Sequence, residues 1–388
     1  MWQDFLARLL AFLLFFTGIS APVAPAPSAL PGSASQPSES QAPSAQSVQP
    51  DLREALSFAP PAAELLAFTS WQTIKLHQSA ADLTSASPMD QRRDFLRSLT
   101  LDEAAASGFA LAYFAHQAKQ WGWDTTDLAW EATVQGEGAP VFVLRLRDDF
   151  DMEGLQARFE DRDFAMSEHA GALVYSHPLD LIVPWRTELA VFNAAVLPDE
   201  RILIHASDPA AILRVLDAHA GAANWQRDTG ILSVAATFGP TSAALIASGP
   251  QVCTDLGFAA LLPMLLNSSQ PSTDELAALQ QKFFGAAPLH PYQTLGISYR
   301  YVAHLEGVIA MHYASREAAE ADLEARRQLV ENGQSIVTEA SIWEAPFIPT
   351  TNVDFSNNIV VQGRPAGDRP QRLFNMFYRR DMPFAGCS

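Results

Sequence analysis

Two pairs of histidines have the residue types of a zinc site. His304 and His312 could face each other across a predicted hairpin with Glu306 in its turn, and His169 and His177 bracket a second predicted hairpin. Imidazole and carboxylate groups are common zinc ligands. However, no Cys and no further His at helical spacing joins either pair, and single histidines in strands are usually polar edge residues. We therefore predict no metal site and no cofactor.

One segment has nearly the spacing of a calcium-binding loop. Residues 149–160 read DFDMEGLQARFE, with acids at positions 1, 3 and 5, Gly at 6 and Glu at 12, close to the pattern of an EF-hand. An EF-hand loop lies between two helices, whereas this segment follows a predicted strand. We favour a second interpretation, in which Asp149, Asp151 and Glu153 lie at the N-terminus of a helix, where the dipole stabilises negative charge.

The sequence contains none of the short motifs that mark common hydrolases, metalloproteases or nucleotide-binding proteins. Many enzymes lack such a motif, so its absence favours a binding protein only modestly. A cleft that gathers residues such as Asp149, His205 or His312 would favour an enzyme. A smooth apolar groove or an exposed tryptophan patch would favour binding. No catalytic residue is predicted.

Three tryptophans, Trp121, Trp123 and Trp130, lie close together in the sequence. Aromatic platforms bind sugars and peptides, but tryptophan is also a large core residue, and we favour the structural role. Asn267 begins a formal glycosylation acceptor, Asn-Ser-Ser, which has meaning only in a eukaryotic secretory route. The composition, rich in Ala and poor in Lys, suggests a bacterial origin.

The first 20 residues predict export. An apolar run from Phe5 to Ile19 is short for a membrane-spanning helix, and Gly18-Ile19-Ser20 permits cleavage before Ala21. Asp4 next to this run weakens the positive charge that such signals carry. An uncleaved anchor is the alternative, and an ordinary buried helix is a third. We expect the protein to be secreted or to reside in the extracytoplasmic cell envelope.

Cys253 and Cys387 are the two cysteines of the chain, and we predict a disulfide between them. Export would place them in a compartment where disulfides persist. The bond would hold the C-terminus and its aromatic helix against the rest of the protein. The alternative is two separate thiols. The test is geometric, because the two Cα atoms must lie within roughly 7 Å of each other.

Residues 21–50 predict a disordered tether, since Ala, Pro, Ser and Gln dominate and cannot build a core. Residues 51–388 are globular in composition. The full chain has a net charge of −18 with only three lysines, so nucleic acid is not an expected partner. The partner is unknown, with an envelope or extracellular polymer or a protein as possibilities. Membrane contact is expected only through an uncleaved N-terminal segment.

The pattern of the globular part suggests an internal repeat. Residues 188–221 contain two runs of strand formers separated by a turn and followed by a helix that Asp208 caps. Residues 295–333 show the same order of strand, turn, strand and helix. Further strands and helices are predicted at 140–176 and 358–378. Helices on one face of mostly antiparallel strands define an α+β layer.

We therefore predict an α+β fold of two related ferredoxin-like modules, 51–225 and 226–388, with mostly antiparallel sheets and helices on one face. The predicted function is an exported binding or envelope-associated structural component. An extracytoplasmic hydrolase of unrecognised type is the alternative.

Overall fold

The computed structural model describes residues 48–102, 118–119, 121–162, 164–176, 193–221, 223–258, 272–284, 289–302, 304–335, 341–344, 348–365 and 372–387. The predicted signal peptide, 1–20, and nearly all of the predicted tether, 21–50, lie outside these ranges. His177 and Asn267 also lie outside them, so the hypotheses that rest on these residues stay predictions.

The described strands form one antiparallel sheet. Its strands, in chain order, are β1 Leu65–Thr69, β2 Leu128–Gln135, β3 Val141–Leu146, β4 Ala165–His169, β5 Ala172–Ser176, β6 Asn193–Leu197, β7 Ile202–Ala206, β8 Ala243–Ser248, β9 Tyr292–Tyr301, β10 Leu305–Tyr313, β11 Thr350–Val353 and β12 Asn358–Gly363.

Helices pack on both faces of this sheet. They are α1 Pro50–Ser57, α2 Trp71–His77, α3 Met89–Asp102, α4 Met152–Glu160, α5 Pro209–Ala220, α6 Thr229–Phe238, α7 Val252–Asp255, α8 Thr273–Phe284, α9 Arg316–Glu331 and α10 Arg372–Tyr378. Short 3-10 helices are formed by Thr125–Asp127, Trp225–Arg227 and Pro383–Ala385.

The strands lie in the order β11-β12-β10-β9-β8-β1-β2-β3-β7-β6-β5-β4. Strands from residues 51–225 make up one side and strands from 226–388 the other, and the two sides meet where β1 pairs with β8. The predicted α+β class is confirmed. The ferredoxin-like arrangement is not confirmed: β1 and β2 are direct neighbours, whereas a split β-α-β unit places another strand between them.

The two sides of the sheet repeat one order of elements. Among the described elements of each side, a helix precedes the first strand, α2 and α3 or α7 and α8 lead to a hairpin, a helix follows, and a further hairpin lies beyond it. The strand orders correspond as well, β1-β2-β3-β7-β6 on one side and β8-β9-β10-β12-β11 on the other. The two central strands, β1 and β8, pair antiparallel. Ala67 lies opposite Leu245 at the centre of this pairing, with two pairs of residues on either side of it.

Both segments of the predicted repeat contain a hairpin followed by a helix, but they are not equivalent positions in the sheet. Helix α5 buries Ile212 on one face, whereas α9 buries Val330 on the other. The counterpart of β9, β10 and α9 in strand order is β2, β3 and α4. Apolar periodicity predicts that a helix packs on a sheet, but it does not specify which face.

Alternation along the strands divides the core between the two faces. Leu66 and Phe68 of β1 pack beneath α1, α5 and α6, together with Trp130 of β2. Leu65 points to the opposite face, where one apolar cluster lies against α7, α9 and α10. A separate cluster on that face lies against α2, α3 and α4 and includes Trp71. Helices thus cover both faces, whereas the prediction placed them on one.

Candidate functional site

A serine, a histidine and a glutamate form a hydrogen-bonded chain on the α1 face of the sheet. Ser57 Oγ lies 2.8 Å from His219 Nδ1, and His219 Nε2 lies 2.9 Å from Glu200 Oε2. Ser57 ends α1, His219 lies in the last turn of α5, and Glu200 lies in the β6–β7 turn. The imidazole stacks on the Phe58 ring with 4.0 Å between centroids. Contacts on three sides therefore fix the histidine ring.

The order hydroxyl, imidazole, carboxylate is the order that activates a serine nucleophile. In the tautomer that carries its proton on Nε2, the His219 ring donates to Glu200 and Nδ1 accepts from Ser57. A proton could then pass from the hydroxyl to the ring. His219 also lies in the last turn of α5.

Three features around Ser57 oppose this chemistry. Its hydroxyl also lies 2.6 Å from the Glu54 carbonyl oxygen, and one proton cannot serve both acceptors at once. The next two backbone N–H groups, of Phe58 and Ala59, already donate to carbonyl oxygens of α1, so neither stabilises an oxyanion. Ser57 itself is only 6% exposed. What the chain does in this structure is join α1 to α5 and to the β6–β7 turn.

Two carboxylates of α1 lie near this chain. Glu54 Oε2 accepts from Trp130 Nε1 at 3.1 Å and lies 4.0 Å from Arg145 Nε. Burial raises the pKa of Glu54, although the hydrogen bond from Trp130 opposes the rise. Burial also raises the pKa of Asp51, against the attraction of Arg145. Burial therefore raises the pKa of both carboxyl groups, and the negative charge of Glu200 adds to the rise for Glu54.

A second polar cluster lies under α2 and α3 on the opposite face. Lys75 Nζ donates to the Thr126 carbonyl oxygen at 2.8 Å, and burial lowers the pKa of this lysine. Asp124 forms an ion pair with Arg92, and burial raises the pKa of Asp124. Arg147 Nε donates to Asp127 at 3.1 Å. These bonds hold the 3-10 turn before β2 in place, and we interpret the cluster as structural.

The residues that would have favoured an enzyme are not brought together. Asp149 forms an ion pair with Arg147, and His205 is buried on β7. His312 lies on β10, where its Nδ1 is 2.9 Å from Asn358 Oδ1. Six strand spacings separate β7 from β10, about 29 Å. A shared site for these histidines is therefore excluded.

The two histidine pairs do not form a described metal site either. His304 and His312 stand eight residues apart along one hairpin arm, about 26 Å in an extended strand. Glu306 accepts from Arg300 Nε at 2.7 Å, and His169 Nε2 lies 2.7 Å from Asp217. Among the described residues no group of three or more His, Cys, Asp and Glu could hold a metal ion.

The calcium-like segment begins a helix, as the favoured interpretation predicts. Asp151 is the N-cap of α4, and its side chain accepts from the Gly154 backbone N–H at 2.9 Å. Trp121, Trp123 and Trp130 are all buried, so they form no aromatic platform. Trp121 packs on Phe159 with 4.7 Å between ring centroids.

The two cysteines lie at disulfide distance, with Cα atoms 5.3 Å apart. The Cys387 backbone N–H also donates to the Cys253 carbonyl oxygen at 3.1 Å. The buried Arg326 of α9 donates to the carbonyl oxygens of Phe384 at 2.7 Å and Gly386 at 2.6 Å. The end of the described chain is thus held to α7 and α9.

One edge of the sheet carries exposed apolar residues. We call Ile348, β11 and Phe355 the β11 edge. Ile348 and Phe355 are each 77% exposed, and within the described part of the chain no strand pairs with the outer side of β11. Thr350 and Asn352 are exposed between them. The opposite edge, β4, carries Met166 beside Glu168 and His169.

No helix of the described residues is long and apolar enough to cross a membrane.

Comparison with known proteins gives no family. No family model matches the chain, and no curated protein matches it. Two solved structures of a protein named TP0453 are similar to it over most of its length. Crystal form I gives a TM-score of 0.34 at 7% identity, covering 84% of this chain and 97% of that one. Crystal form IV gives 0.35 at 8%, covering 86% and 97%. Neither likeness carries an argument about function.

Proposed function

We propose that this protein is an exported binding or envelope-associated structural component that contacts its partner through the β11 edge. The observation that supports the proposal is the exposure of Ile348 and Phe355, 77% each, at the two ends of an outer strand. Large apolar side chains in such positions commonly mark interaction sites.

The backbone of the β11 edge supports binding for a second reason. The outer side of an edge strand offers N–H and C=O groups to a further strand, and natural proteins usually protect such edges with charges or bulges. Residues 348–353 read IPTTNV, which contain no charged residue but include Pro349, whose nitrogen cannot donate to a further strand, and Asp354 follows. By contrast, β4 carries Glu168 and His169. The two edges of one sheet therefore differ in the protection that they carry.

Export rests on the N-terminal sequence and on the cysteines. The apolar run before Ala21 is of the length and composition of a signal peptide. The 5.3 Å separation of the Cys253 and Cys387 Cα atoms suits a disulfide, which would persist outside the cytoplasm. We therefore propose both a disulfide between Cys253 and Cys387 and a location outside the cytoplasm.

We also propose that the halves 51–225 and 226–388 descend from one duplicated α+β unit. The matching strand orders support this. Among the described strands of the second half, none corresponds to the hairpin of β4 and β5.

N-terminal sequencing of the protein from its own host tests export. The extracytoplasmic fraction should contain a chain that begins near Ala21. The same chain with Met1 intact in the membrane fraction would indicate an uncleaved anchor. Soluble cytoplasmic protein with Met1 intact would contradict the proposal.

A hydrolase remains the second candidate, and the Ser57, His219 and Glu200 chain is the observation that favours it. A fluorophosphonate probe forms a covalent bond with an activated serine. A catalytic Ser57 should label in the wild type, lose labelling in Ser57→Ala, and label as before in the control Ser233→Ala, which removes another serine within hydrogen-bond distance of a histidine. Our first proposal predicts no labelling at Ser57, because its hydroxyl and the adjacent N–H groups are already occupied.

A further inference from the structure

We infer that a cleft between α5 and the turn of the β2–β3 hairpin binds a small aliphatic carboxylate, that is, a short hydrocarbon chain ending in a carboxylate group. This cleft lies beside strands that are remote from β11 in the sheet. Two of its features point to this class of ligand: the lining is mainly apolar, and the guanidinium group of Arg214 lies at the exposed rim.

The lining of the cleft suits a hydrocarbon chain. Its walls come from the loop between α1 and β1, from β2 and β3 next to their turn, and from α5. Five lining residues are aliphatic and at most 6% exposed, namely Ala63, Val134, Val141, Ala211 and Val215. The cleft holds about 80 Å³ of free space, several times the ~10–15 Å³ that one water molecule requires. A short aliphatic chain therefore fits.

The hairpin turn holds the guanidinium group of Arg214 in place. Arg214 Nη2 donates to the Glu137 carbonyl oxygen at 3.1 Å. Gly138 has a φ of +93°, and a Cβ atom at this position would lie 3.1 Å from the same nitrogen. Glycine thus gives the turn its backbone conformation and lets the guanidinium lie close against it. The arginine side chain is 48% exposed, so its remaining N–H groups are open to a ligand.

The carboxylate that faces Arg214 in the structure makes only a weak contact with it. Asp208 Oδ2 lies 4.0 Å from Arg214 Nη2, which is beyond hydrogen-bond distance. Asp208 Oδ1 instead accepts from the Ala210 backbone N–H at 3.0 Å and caps α5. The guanidinium therefore keeps N–H groups for a ligand carboxylate, which it can bind through two parallel hydrogen bonds. The attached hydrocarbon chain would then lie against the apolar walls.

Titration of the full chain with acetate, butyrate and hexanoate, followed by methyl NMR spectra, tests the inference. Hexanoate should shift the methyl signals of Val134, Val141 and Val215 in a saturable way. Affinity should rise about three- to fourfold for each methylene group that enters the cleft, because its apolar surface leaves water. Hexylamine has the same chain length and the opposite charge, and it should not bind.

Two variants test the role of the guanidinium group. Arg214→Gln removes the charge and should weaken hexanoate binding about tenfold or more. The control Arg316→Gln changes an arginine of α9 that is 47% exposed, and it should bind hexanoate as the wild type does. Circular dichroism should show that both variants are folded, because both side chains are about half exposed.

The inference would be overturned if hexanoate gave no saturable shift of these methyl signals up to its solubility limit. Equal affinity for hexanoate and acetate would contradict the role of the apolar cleft. Equal affinity for hexanoate and hexylamine, or for the wild type and Arg214→Gln, would contradict the role of the arginine. The comparison of hexanoate with hexylamine requires no variant, so it remains decisive whatever the stability of Arg214→Gln.

Discussion

His205 shows how burial sets the behaviour of a single residue. It is 1% exposed on β7, and its ring lies 5.5 Å from that of Phe142. Burial lowers the pKa of His205 to about 3 from an ordinary value of 6.5. The folded protein therefore keeps this histidine neutral where the unfolded chain would protonate it.

A pH dependence follows from this pKa. Between pH 6.5 and 3 the unfolded chain binds more protons at this site than the folded protein, so the free energy of unfolding falls as the pH falls. The loss approaches about 4–5 kcal/mol near pH 3. His205→Leu should lose less stability than the wild type between pH 7 and 4 in urea titrations. The control His304→Asn, at an exposed position, should behave as the wild type, and equal losses in His205→Leu and the wild type would contradict the account.

The role of a single residue could be predicted from the sequence where that role depends only on neighbouring residues. The acids around Asp151 predict a helix cap because a cap needs only the residues that follow it. The Ser57, His219 and Glu200 chain was missed, since Ser57 and His219 stand 162 residues apart and no motif links them. Only the fold brings their helices together.

At the scale of elements, the C-terminal segment depends on contacts with α7 and α9. Arg326 is buried in α9 and donates to two carbonyl oxygens near the chain end. Its guanidinium also lies 5.6 Å from the centre of the Tyr292 ring. Tyr292 Oη donates to the Ala385 carbonyl oxygen at 2.6 Å. These contacts hold Cys387 beside Cys253.

Formation of the disulfide should raise the free energy of unfolding. The two cysteines are 134 residues apart in the sequence, and the chain-entropy model gives at most about 4–5 kcal/mol for a loop of this length. A reductant should therefore lower the urea midpoint of the wild type. It should leave that of Cys253→Ala combined with Cys387→Ala unchanged. Two free thiols in the denatured, unreduced protein would contradict this prediction.

Elements were predictable in type and order but not in placement. Hairpins followed by helices occur at 193–220 and 292–331, close to the predicted segments. Which face each helix covers depends on the direction of the connection, and a pattern of apolar residues does not encode that direction. The sequence pattern therefore compared β6, β7 and α5 with β9, β10 and α9. In the sheet, β2, β3 and α4 hold the position that corresponds to β9, β10 and α9.

At the scale of the whole molecule, two halves share one sheet. Strands from residues 51–225 lie on one side of the sheet and strands from 226–388 on the other, while the boundary between two modules near residue 225 stays a prediction. The junction itself was not predicted. Strands β1 and β8 are short apolar runs, LLAFT and AALIAS, and nothing in either run specifies a partner far away in the sequence. Because β1 and β8 pair with each other, neither is an edge strand. The outer strands of the described sheet are β11 and β4.

Site-specific photo-crosslinking in the host tests most directly whether the protein works through the β11 edge. A benzophenone amino acid would replace Asn352, which is exposed in β11, or Ser167, which is exposed in β4. The account predicts a discrete crosslinked product from position 352 in the extracytoplasmic fraction and none from position 167. Crosslinking from position 167 alone, or from neither position, would contradict it.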